Sequence, residues 1–336
     1  MRSREAREPL ARAVYQILSS DRRFHSGTAL AQQCGVSRGA VWKAASALRD
    51  LGVRVDAVVN RGYRLPDGCE LLETERILRL LPRALSARLR EAGCCWSTGS
   101  TNADLLQRPA PPPGHFDFLT AEYQSAGRGR RARRWIAPPG GALCLSIGWC
   151  FAALPADIGA LSLAIGVCAL RALATLGLAD AALKWPNDLV VGASKLGGIL
   201  IELRAEAGGP AQIVVGIGLN VALGESVLRA VRATGTRATD LAALGGRICD
   251  RNRLAAALIA ACVAGLEQFE GDGLRPFIAE WRAADVLVGK AVLVDADGTA
   301  VAGHARGIDV DGALCVQTRD GLRRFVTGEV SVRTAS

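Results

Sequence analysis

Histidine is scarce in this 336-residue chain, with only His25, His115 and His304, and none of its ten cysteines forms a C-x-x-C pair or a Cys/His spacing suited to a metal. A zinc site and a disulfide framework are both disfavoured on that count. Most of the cysteines are expected to act as small buried hydrophobes in a reducing cytoplasm. The N-terminus MRSREAREPL carries charge but no apolar run behind it, so no signal peptide is expected. The stretch from Trp135 to Ala156 is uncharged and long enough to span a bilayer, yet Pro138, Pro139, Gly140 and Gly141 break it and Pro155 ends it. That pattern fits a loop followed by a buried strand, with no membrane partner. The usual nucleotide fingerprints are missing too. There is no G-x-x-x-x-G-K-[ST], and Gly216-Ile217-Gly218 lacks the third glycine and the helix that a dinucleotide fold requires.

What is present is a globular chain long enough for two or three domains. Half its residues are hydrophobic and 22% are charged, which excludes disorder and low complexity. Lys and Arg number 41 against 32 Asp and Glu, a net charge of +9. Residues 1–65 hold twelve basic side chains and five acidic ones, so most of the surplus sits in the N-terminal fifth. Such a local asymmetry suits an anionic partner such as nucleic acid. On charge alone, a solvated basic face accounts for it equally well.

The same segment has the pattern of a winged helix. Leu10, Val14, Ile17 and Leu18 recur at helical spacing. In FHSGTALAQQCGVSRGAVWKAASALRDLG, Ser26 can cap a short helix to about Cys34 and Gly35 can end it. Ser37 can cap a second helix from Arg38 to about Leu51, with Gly52 just beyond. Two helices joined by such a turn are a helix-turn-helix. Val41, Ala44 or Ala45, Leu48 and Leu51 form the inward stripe, leaving Arg38, Trp42, Lys43, Ser46 and Arg49 outside, a face suited to a major groove. VRVDAVVNRGYRL then predicts a hairpin wing with Arg61 and Arg64 near its tip. Winged helices also serve as dimerisation modules, but the basic charge and the exposed cations favour DNA. Pro66-Asp67-Gly68 marks a boundary near residue 67.

Four clusters between residues 95 and 220 carry candidate chemistry. In WSTGSTNADLL a strand meets a helix at Ser100-Thr101-Asn102, groups that can cap the helix or bind a neutral polar ligand. In EYQSAGRGRRARRW a strand from Phe116 to about Tyr123 delivers Gln124 into a loop with Gly127, Gly129 and five arginines: Arg128, Arg130, Arg131, Arg133 and Arg134. Arginine forks match carboxylate and phosphate, and five adjacent cations predict a loop that orders on an anion. LKWPNDLVVGASKLGGILIEL holds Lys184, Asp188 and Lys195, the only charges from Ala181 to Ile201. Charges in otherwise core-like strands point to a functional site, since burying them costs several kcal/mol. In QIVVGIGLNV, Gly216 and Gly218 remove side chains from a buried strand, as if a flat ligand lay against it.

The set GSTN, AEYQSAGRGRRARRW, KWPNDL, SKLGGILIE and GIGLNV, in this order behind a winged helix, resembles the bacterial biotin protein ligases that double as biotin operon repressors. The segment from Val286 to Arg333 is similar to that family's small C-terminal domain, so the likeness spans nearly the whole chain. The resemblance implies an α+β chain of three domains. These are a winged helix-turn-helix (1–66), a class II synthetase-like biotin/lipoate ligase domain with a mixed sheet (67–284) and an SH3-like β-barrel (285–336). It implies ATP-dependent activation of biotin to biotinyl-5′-AMP, followed by transfer to a lysine of a biotin carboxyl carrier protein. Mg²⁺ would assist, operator DNA would be a second partner, and the adenylate-bound state would be a homodimer.

The site residues follow from the same resemblance. Ser100, Thr101, Asn102, Gln124, Arg128, Gly129, Arg130, Lys195, Gly216 and Gly218 would hold biotin. Arg128, Arg130, Arg131, Trp135, Lys184, Asn187, Asn220 and Arg333 would hold ATP. Lys195, Arg130, Asp188 and Lys184 would act in catalysis, and no resident metal ligand is implied. Arg38, Trp42, Lys43, Ser46, Arg49 and Arg61 would meet DNA. The sequence departs from the family at Ala132, where a glycine usually follows the arginine pair. If that position needs positive φ, alanine costs about 1 kcal/mol and affects affinity more than reaction type. Three rivals remain: a lipoate–protein ligase, a biotin-sensing repressor without turnover, and a DNA-binding regulator with an unrelated sensor domain. GRGRR with KWPND argues against the first, and the arginine loop with Lys195 against the other two.

Overall fold

The capping serines act as their spacing predicts. In the computed structural model, which describes residues 8–66, 70–205, 209–245, 250–296, 299–326 and 330–334, the chain opens with α1 (Glu8–Asp21), α2 (Gly27–Cys34) and α3 (Arg38–Asp50). The Ser26 hydroxyl accepts from the Ala29 N–H at 3.0 Å, and that of Ser37 from the Ala40 N–H at 3.2 Å. Caps of this kind are worth about 1 kcal/mol each. Gly35 ends α2 at φ 65°. Val41, Ala44, Ala45 and Leu48 pack inward on Val14, Leu18 and Leu30. A hairpin of β1 (Asp56–Val58) and β2 (Gly62–Arg64) forms the wing. Arg64 is not near its tip: it lies opposite Asp56 at the open end and pairs with that carboxylate at 2.6 Å. Residues 1–7 and 67–69, with the basic N-terminus and most of the Pro-Asp-Gly boundary, lie outside the described residues.

A seven-stranded mixed sheet forms the central unit. It comprises β3 (Leu89–Thr98), β4 (Phe116–Gln124), β5 (Ala142–Phe151), β6 (Ala182–Lys184), β7 (Asp188–Val191), β8 (Ser194–Ala205) and β9 (Ala211–Asn220), in the order β3-β4-β5-β9-β8-β7-β6. Only β3 and β4 run parallel. Alternation along the strands gives the sheet two different faces. One carries Leu143, Leu145, Ile147, Val215, Ile217 and Leu219 into the main core. The other carries Cys144, Ser146, Val214, Gly216 and Gly218 and is covered in part by α4 (Thr101–Gln107).

Helices α5 (Leu161–Thr175), α6 (Arg251–Asp272) and α7 (Ile278–Ala284) belong to that main core. Ile158–Thr175 and Arg251–Asp272 are long and apolar enough to cross a membrane, and more than half of each is buried within the molecule. Between α6 and β4 lies a buried ion pair. Both Glu122 oxygens accept from Arg251, at 2.8 and 3.0 Å, and also from the N–H groups of Gly140 and Leu72. Cys168 lies in the main core, Cys144 on the opposite sheet face and Cys95 half-buried at a smaller cluster, and all three thiols stay protonated. Burial pushes Cys95 up to about 11 and Cys144 and Cys168 to about 12, which fits the reading of small hydrophobes.

The C-terminal unit is an antiparallel sheet of β10 (Ala291–Ala296), β11 (Thr299–Ile308), β12 (Leu314–Thr318), β13 (Gly321–Phe325) and β14 (Val330–Thr334), ordered β13-β12-β11-β10-β14. Val292, Val294, Leu314 and Val316 join the central core. The buried Trp185 indole donates to the Gly312 carbonyl at 3.1 Å, and Val286 N–H donates to Leu183 O at 3.0 Å. The winged helix is docked as well. Tyr15 meets Trp96 edge to face at 5.8 Å, and the Ser97 hydroxyl donates to Glu8 at 2.9 Å.

Asp285, at the junction of the central and C-terminal units, has a buried Oδ2 with no hydrogen-bond partner among the described residues. Burial raises its pKa from 3.8 to about 6, against the opposing Leu287 N–H and Lys290. The folded value lies above the unfolded one, so this contribution to stability is complete below about pH 4 and is lost as pH rises through about 6. Asp285→Asn should therefore raise the melting temperature at pH 7.5, by an amount equivalent to roughly 1–3 kcal/mol. Thermal melts across the pH range check this: the gain should disappear near pH 4.

Candidate functional site

The neutral end of the site is built where α4 meets the sheet. Ser100 caps α4, its hydroxyl accepting from Ala103 N–H at 3.4 Å. Gln124 Oε1 accepts from the backbone N–H of Thr101 at 2.8 Å and from its hydroxyl at 3.1 Å. The Ser146 hydroxyl lies 2.7 Å from Thr101 Oγ1 and 2.6 Å from Asn102 Oδ1. Asn102 Nδ2 donates to Leu200 O at 3.2 Å and to Glu202 Oε2 at 2.9 Å. Ser100, Thr101, Asn102 and Ser146 are buried, and none is charged. Such a set suits a neutral ligand with its own donors and acceptors.

Gly216 and Gly218 do not leave an open face for a flat ligand, as the sequence suggested. A Cβ on Gly216 would stand 2.3 Å from Asn102 Oδ1, and one on Gly218 would stand 2.6 Å from the Trp135 ring. The glycines admit the protein's own side chains. Glycine at 198 continues the stripe: its missing Cβ would lie 3.3 Å from Lys195 Nζ and 3.7 Å from Asp188 Oδ1. Neighbouring strands pair Gly218 with Gly198, so Asn102, Trp135 and the Lys195–Asp188 pair follow one another across a single face of the sheet.

Lys195 Nζ donates to Asp188 Oδ1 at 2.5 Å. The two side chains are 28% and 25% exposed, half-buried instead of fully buried as their apolar surroundings implied, because the site opens to solvent here. Lys184 lies directly opposite Asp188 in the β6–β7 pairing. Asp188 is thus the counter-ion of Lys195. Asn187 and Asn220 brace the backbone around the site through their amide N–H groups. Asn187 Nδ2 donates to Ile199 O at 2.7 Å, and Asn220 Nδ2 to Thr239 O at 2.9 Å and Lys195 O at 3.4 Å.

The arginine loop closes on itself through Trp135 N–H to Gly127 O and Gly129 N–H to Arg133 O, both 2.8 Å. Its cations point to different places. Arg128 is tied to Glu202 at 2.9 Å and Arg131 to Asp295 of β10 at 3.0 Å, so neither is presented as an unpaired anion ligand. Arg130, half-buried between them, has its pKa lowered by burial, with the Asp188 charge opposing and Arg131 and Arg133 adding to it. Arg131 and Ala132 take φ of 55° and 53°. The left-handed conformation that the family's glycine suggested is present, and Ala132 holds it at a cost of about 1 kcal/mol. Ala132→Gly should lower the Michaelis constant for the small ligand about two- to fivefold with little change in turnover, measured by steady-state kinetics.

Arg38, Trp42 and Lys43 stand exposed along α3, Trp42 with 58% of its surface free, while Ser46 is half-buried. Arg61 leans over the Phe24 ring at 4.3 Å. Arg49 is set apart from this face. Its Nε donates to Val55 O at 3.0 Å, and it lines a cleft of about 480 Å³ with Gly52, Pro138 and Arg229 between the winged helix and the central unit. Arg333 pairs with Leu293 through its backbone, and its side chain lies outside what is described. Ser146 and Glu202 are both part of the site; Ser146 lies in no motif, and Glu202 closes SKLGGILIE but was given no role there. The signals for Glu202 were its place at the end of that motif and a charge on the same face as Gly198 on an apolar strand.

Residues 97–220 match the biotin/lipoate A/B protein ligase family, 11–64 a helix-turn-helix domain and 287–333 the biotin protein ligase C-terminal domain. The bifunctional ligase/repressor BirA of Salmonella typhimurium is 39% identical over 321 residues, covering 95% of this chain and 96% of that protein. The biotin–[acetyl-CoA-carboxylase] ligase of Mycobacterium tuberculosis is 38% identical over 248 residues, covering 70% of this chain and 88% of its own. Among solved structures, the biotin protein ligase from Aquifex aeolicus in complex with biotin and ATP has the same fold. It superposes with a TM-score of 0.61 at 24% identity over 74% of this chain and 99% of that one. The chain belongs to the biotin/lipoate protein ligase family. Within it the chain stands with the bifunctional ligase/repressors, since the similarity extends through the helix-turn-helix segment.

Proposed function

We propose that the chain activates biotin with ATP and transfers the acyl group to a lysine of a biotin carboxyl carrier protein. The supporting observation is the stripe across one sheet face, from the neutral Thr101, Asn102, Gln124 and Ser146 past Trp135 to Lys195 and Asp188, with Arg130 close by. A molecule with a neutral ureido head and an anionic tail matches that order of groups.

In the first step a biotin carboxylate oxygen bonds to the α-phosphorus of ATP and pyrophosphate leaves, with no proton to move. Two anions must meet, so the site's task is to cancel their repulsion with Arg130, Lys195 and Lys184. Once Lys195 turns to the incoming anion, Asp188 is released. In the second step the carrier lysine bonds to the acyl carbon, AMP leaves, and the amine's proton must be taken up. Asp188 is the carboxylate positioned for that. Mg²⁺ would supply further neutralisation of the phosphates when bound. Among the described residues no three Asp, Glu, His or Cys side chains cluster, so phosphate oxygens would be its main ligands.

In this reading residues 1–66 bind operator DNA through Arg38, Trp42, Lys43 and Arg61, and the protein acts in the cytoplasm as a homodimer when adenylate is bound. Residues 67–284 form a class II synthetase-like catalytic domain and 285–336 an SH3-like barrel. Purified protein should catalyse biotin-dependent exchange of pyrophosphate into ATP without any carrier. Exchange with lipoate but not biotin would transfer the reading to the lipoate ligases, and exchange with neither would leave a sensor without turnover.

A further inference from the structure

We propose that Glu202 is a positioning residue that fixes the polarity of the pocket, keeping its head end neutral so that an anionic tail is sent to Arg130 and Lys195. The inference rests on the ligase reading and goes beyond it in giving a role to Glu202, the last residue of SKLGGILIE, to which the resemblance assigned none.

Glu202 lies on β8 opposite Val214, on the face that bears the site, and its side chain is 21% exposed. Its two oxygens serve two different site residues. Oε2 accepts from Asn102 Nδ2 and Oε1 from Arg128, each at 2.9 Å. The first contact decides which way the Asn102 amide points. Both Nδ2 hydrogens are consumed, by Glu202 and Leu200 O, so Oδ1 must face Ser146, and the hydroxyls of Ser146 and Thr101 are ordered in turn. The second contact compensates the Arg128 charge. Of the loop's cations, Arg131 is held by Asp295 of the C-terminal sheet and Arg128 by Glu202, while half-buried Arg130 feels the charge of Asp188.

Without the carboxylate both effects are lost together. Glutamine in its place has one acceptor oxygen, and its amide would set a donor against a donor at either Asn102 or Arg128. Arg128 would then be an uncompensated cation at the end of the pocket meant for a neutral head, able to hold a carboxylate in the wrong place.

The test is biotin-dependent pyrophosphate exchange by wild type, Glu202→Gln, Glu202→Ala, Arg128→Ala and the double alanine variant, with thermal melts of each. Wild-type exchange comes first, since its absence counts against the ligase reading and not against Glu202. Given exchange, the expected result is a rise of about tenfold or more in the biotin Michaelis constant for both Glu202 variants. The constant for ATP should stay within about twofold and the melting temperature nearly unchanged. The double variant should bind biotin better than the sum of the single losses predicts, because removing Arg128 removes the misplaced cation. An unchanged biotin constant overturns the proposal. So do equal losses for biotin and ATP in step with a lower melting temperature, or strictly additive single effects, because these would make Glu202 a structural or an inert residue.

Discussion

Replacing Lys195 with alanine should lower biotin-dependent pyrophosphate exchange by about 10²–10³-fold while the protein still unfolds cooperatively at nearly its original temperature. The two expectations separate because backbone and side chain at this position do different work. The Lys195 N–H donates to Arg237 O at 2.8 Å and its carbonyl accepts from Thr239 N–H at 3.0 Å, contacts that alanine keeps. The side chain leaves the sheet over Gly198 and is paired with Asp188 in a partly solvated position, where an ion pair contributes about 0–1 kcal/mol. Removal therefore costs the fold little. It costs the site one of its cations and leaves Asp188 as a bare negative charge where a carboxylate and a triphosphate must meet, which is why the kinetic loss should be large. Exchange kinetics and a thermal melt on the same preparation check the prediction. Activity loss that tracks a collapsed melting transition would show that the ammonium is structural.

The largest effect on stability is expected at Arg251. Its side chain is fully buried, and besides Glu122 it donates to the carbonyls of Ala142 at 3.1 Å and Glu70 at 2.6 Å. Glu122 in turn holds the N–H groups of Leu72 and Gly140. Four chain segments, around residues 70–72, 122, 140–142 and 251, converge on one pair of charges. Arg251→Met removes the cation and leaves a buried carboxylate whose remaining two donors cannot compensate it, a loss of about 3–5 kcal/mol. For a domain of this size that is a fall of roughly 10 °C in melting temperature. Removing both charges together, as Glu122→Leu with Arg251→Met, should recover part of the loss, since what destabilises is the unpaired ion. Calorimetry of the single and double variants measures both effects. A single variant as stable as wild type would show the pair to be dispensable.

Much of this molecule was legible in its sequence where the signal is local. Ser26, Ser37 and Gly35 mark helix ends through their own short-range hydrogen bonds and dihedral angles, and they sit where expected. The same holds for Ser100 at the start of α4, for the wing and for the positive φ at Ala132. Partners across the sheet were not legible. Glu122 and Arg251 are 129 residues apart, and nothing in AEYQ or in RNRL announces the other. Gly216 and Gly218 were read as room for a ligand because the sequence shows that a side chain is missing, not what takes its place. Asn102 and Trp135 do so, and only the register of β5, β9 and β8 reveals it. The same register turns Arg128 toward Glu202, so a loop of five similar arginines contains residues with different tasks. Charge pattern alone cannot sort them.

The indole of Trp185 has a consequence for where the polypeptide can be divided. It belongs to the KWPND motif that carries Lys184 and leads into Asp188, yet its N–H is satisfied by the carbonyl of Gly312, in the loop between β11 and β12 of the C-terminal unit. Gly312 itself sits against Leu163, Leu274 and Ala160 of the central unit, too close for any side chain. The small sheet is therefore not an appendage that evolution or an engineer can exchange as a module. A transplanted replacement must bring a carbonyl to the same point and a glycine-sized backbone beneath it. A chain cut at residue 284 would leave a buried indole without an acceptor next to the Lys184–Asp188 turn, and the damage would register about a hundred residues upstream of the cut.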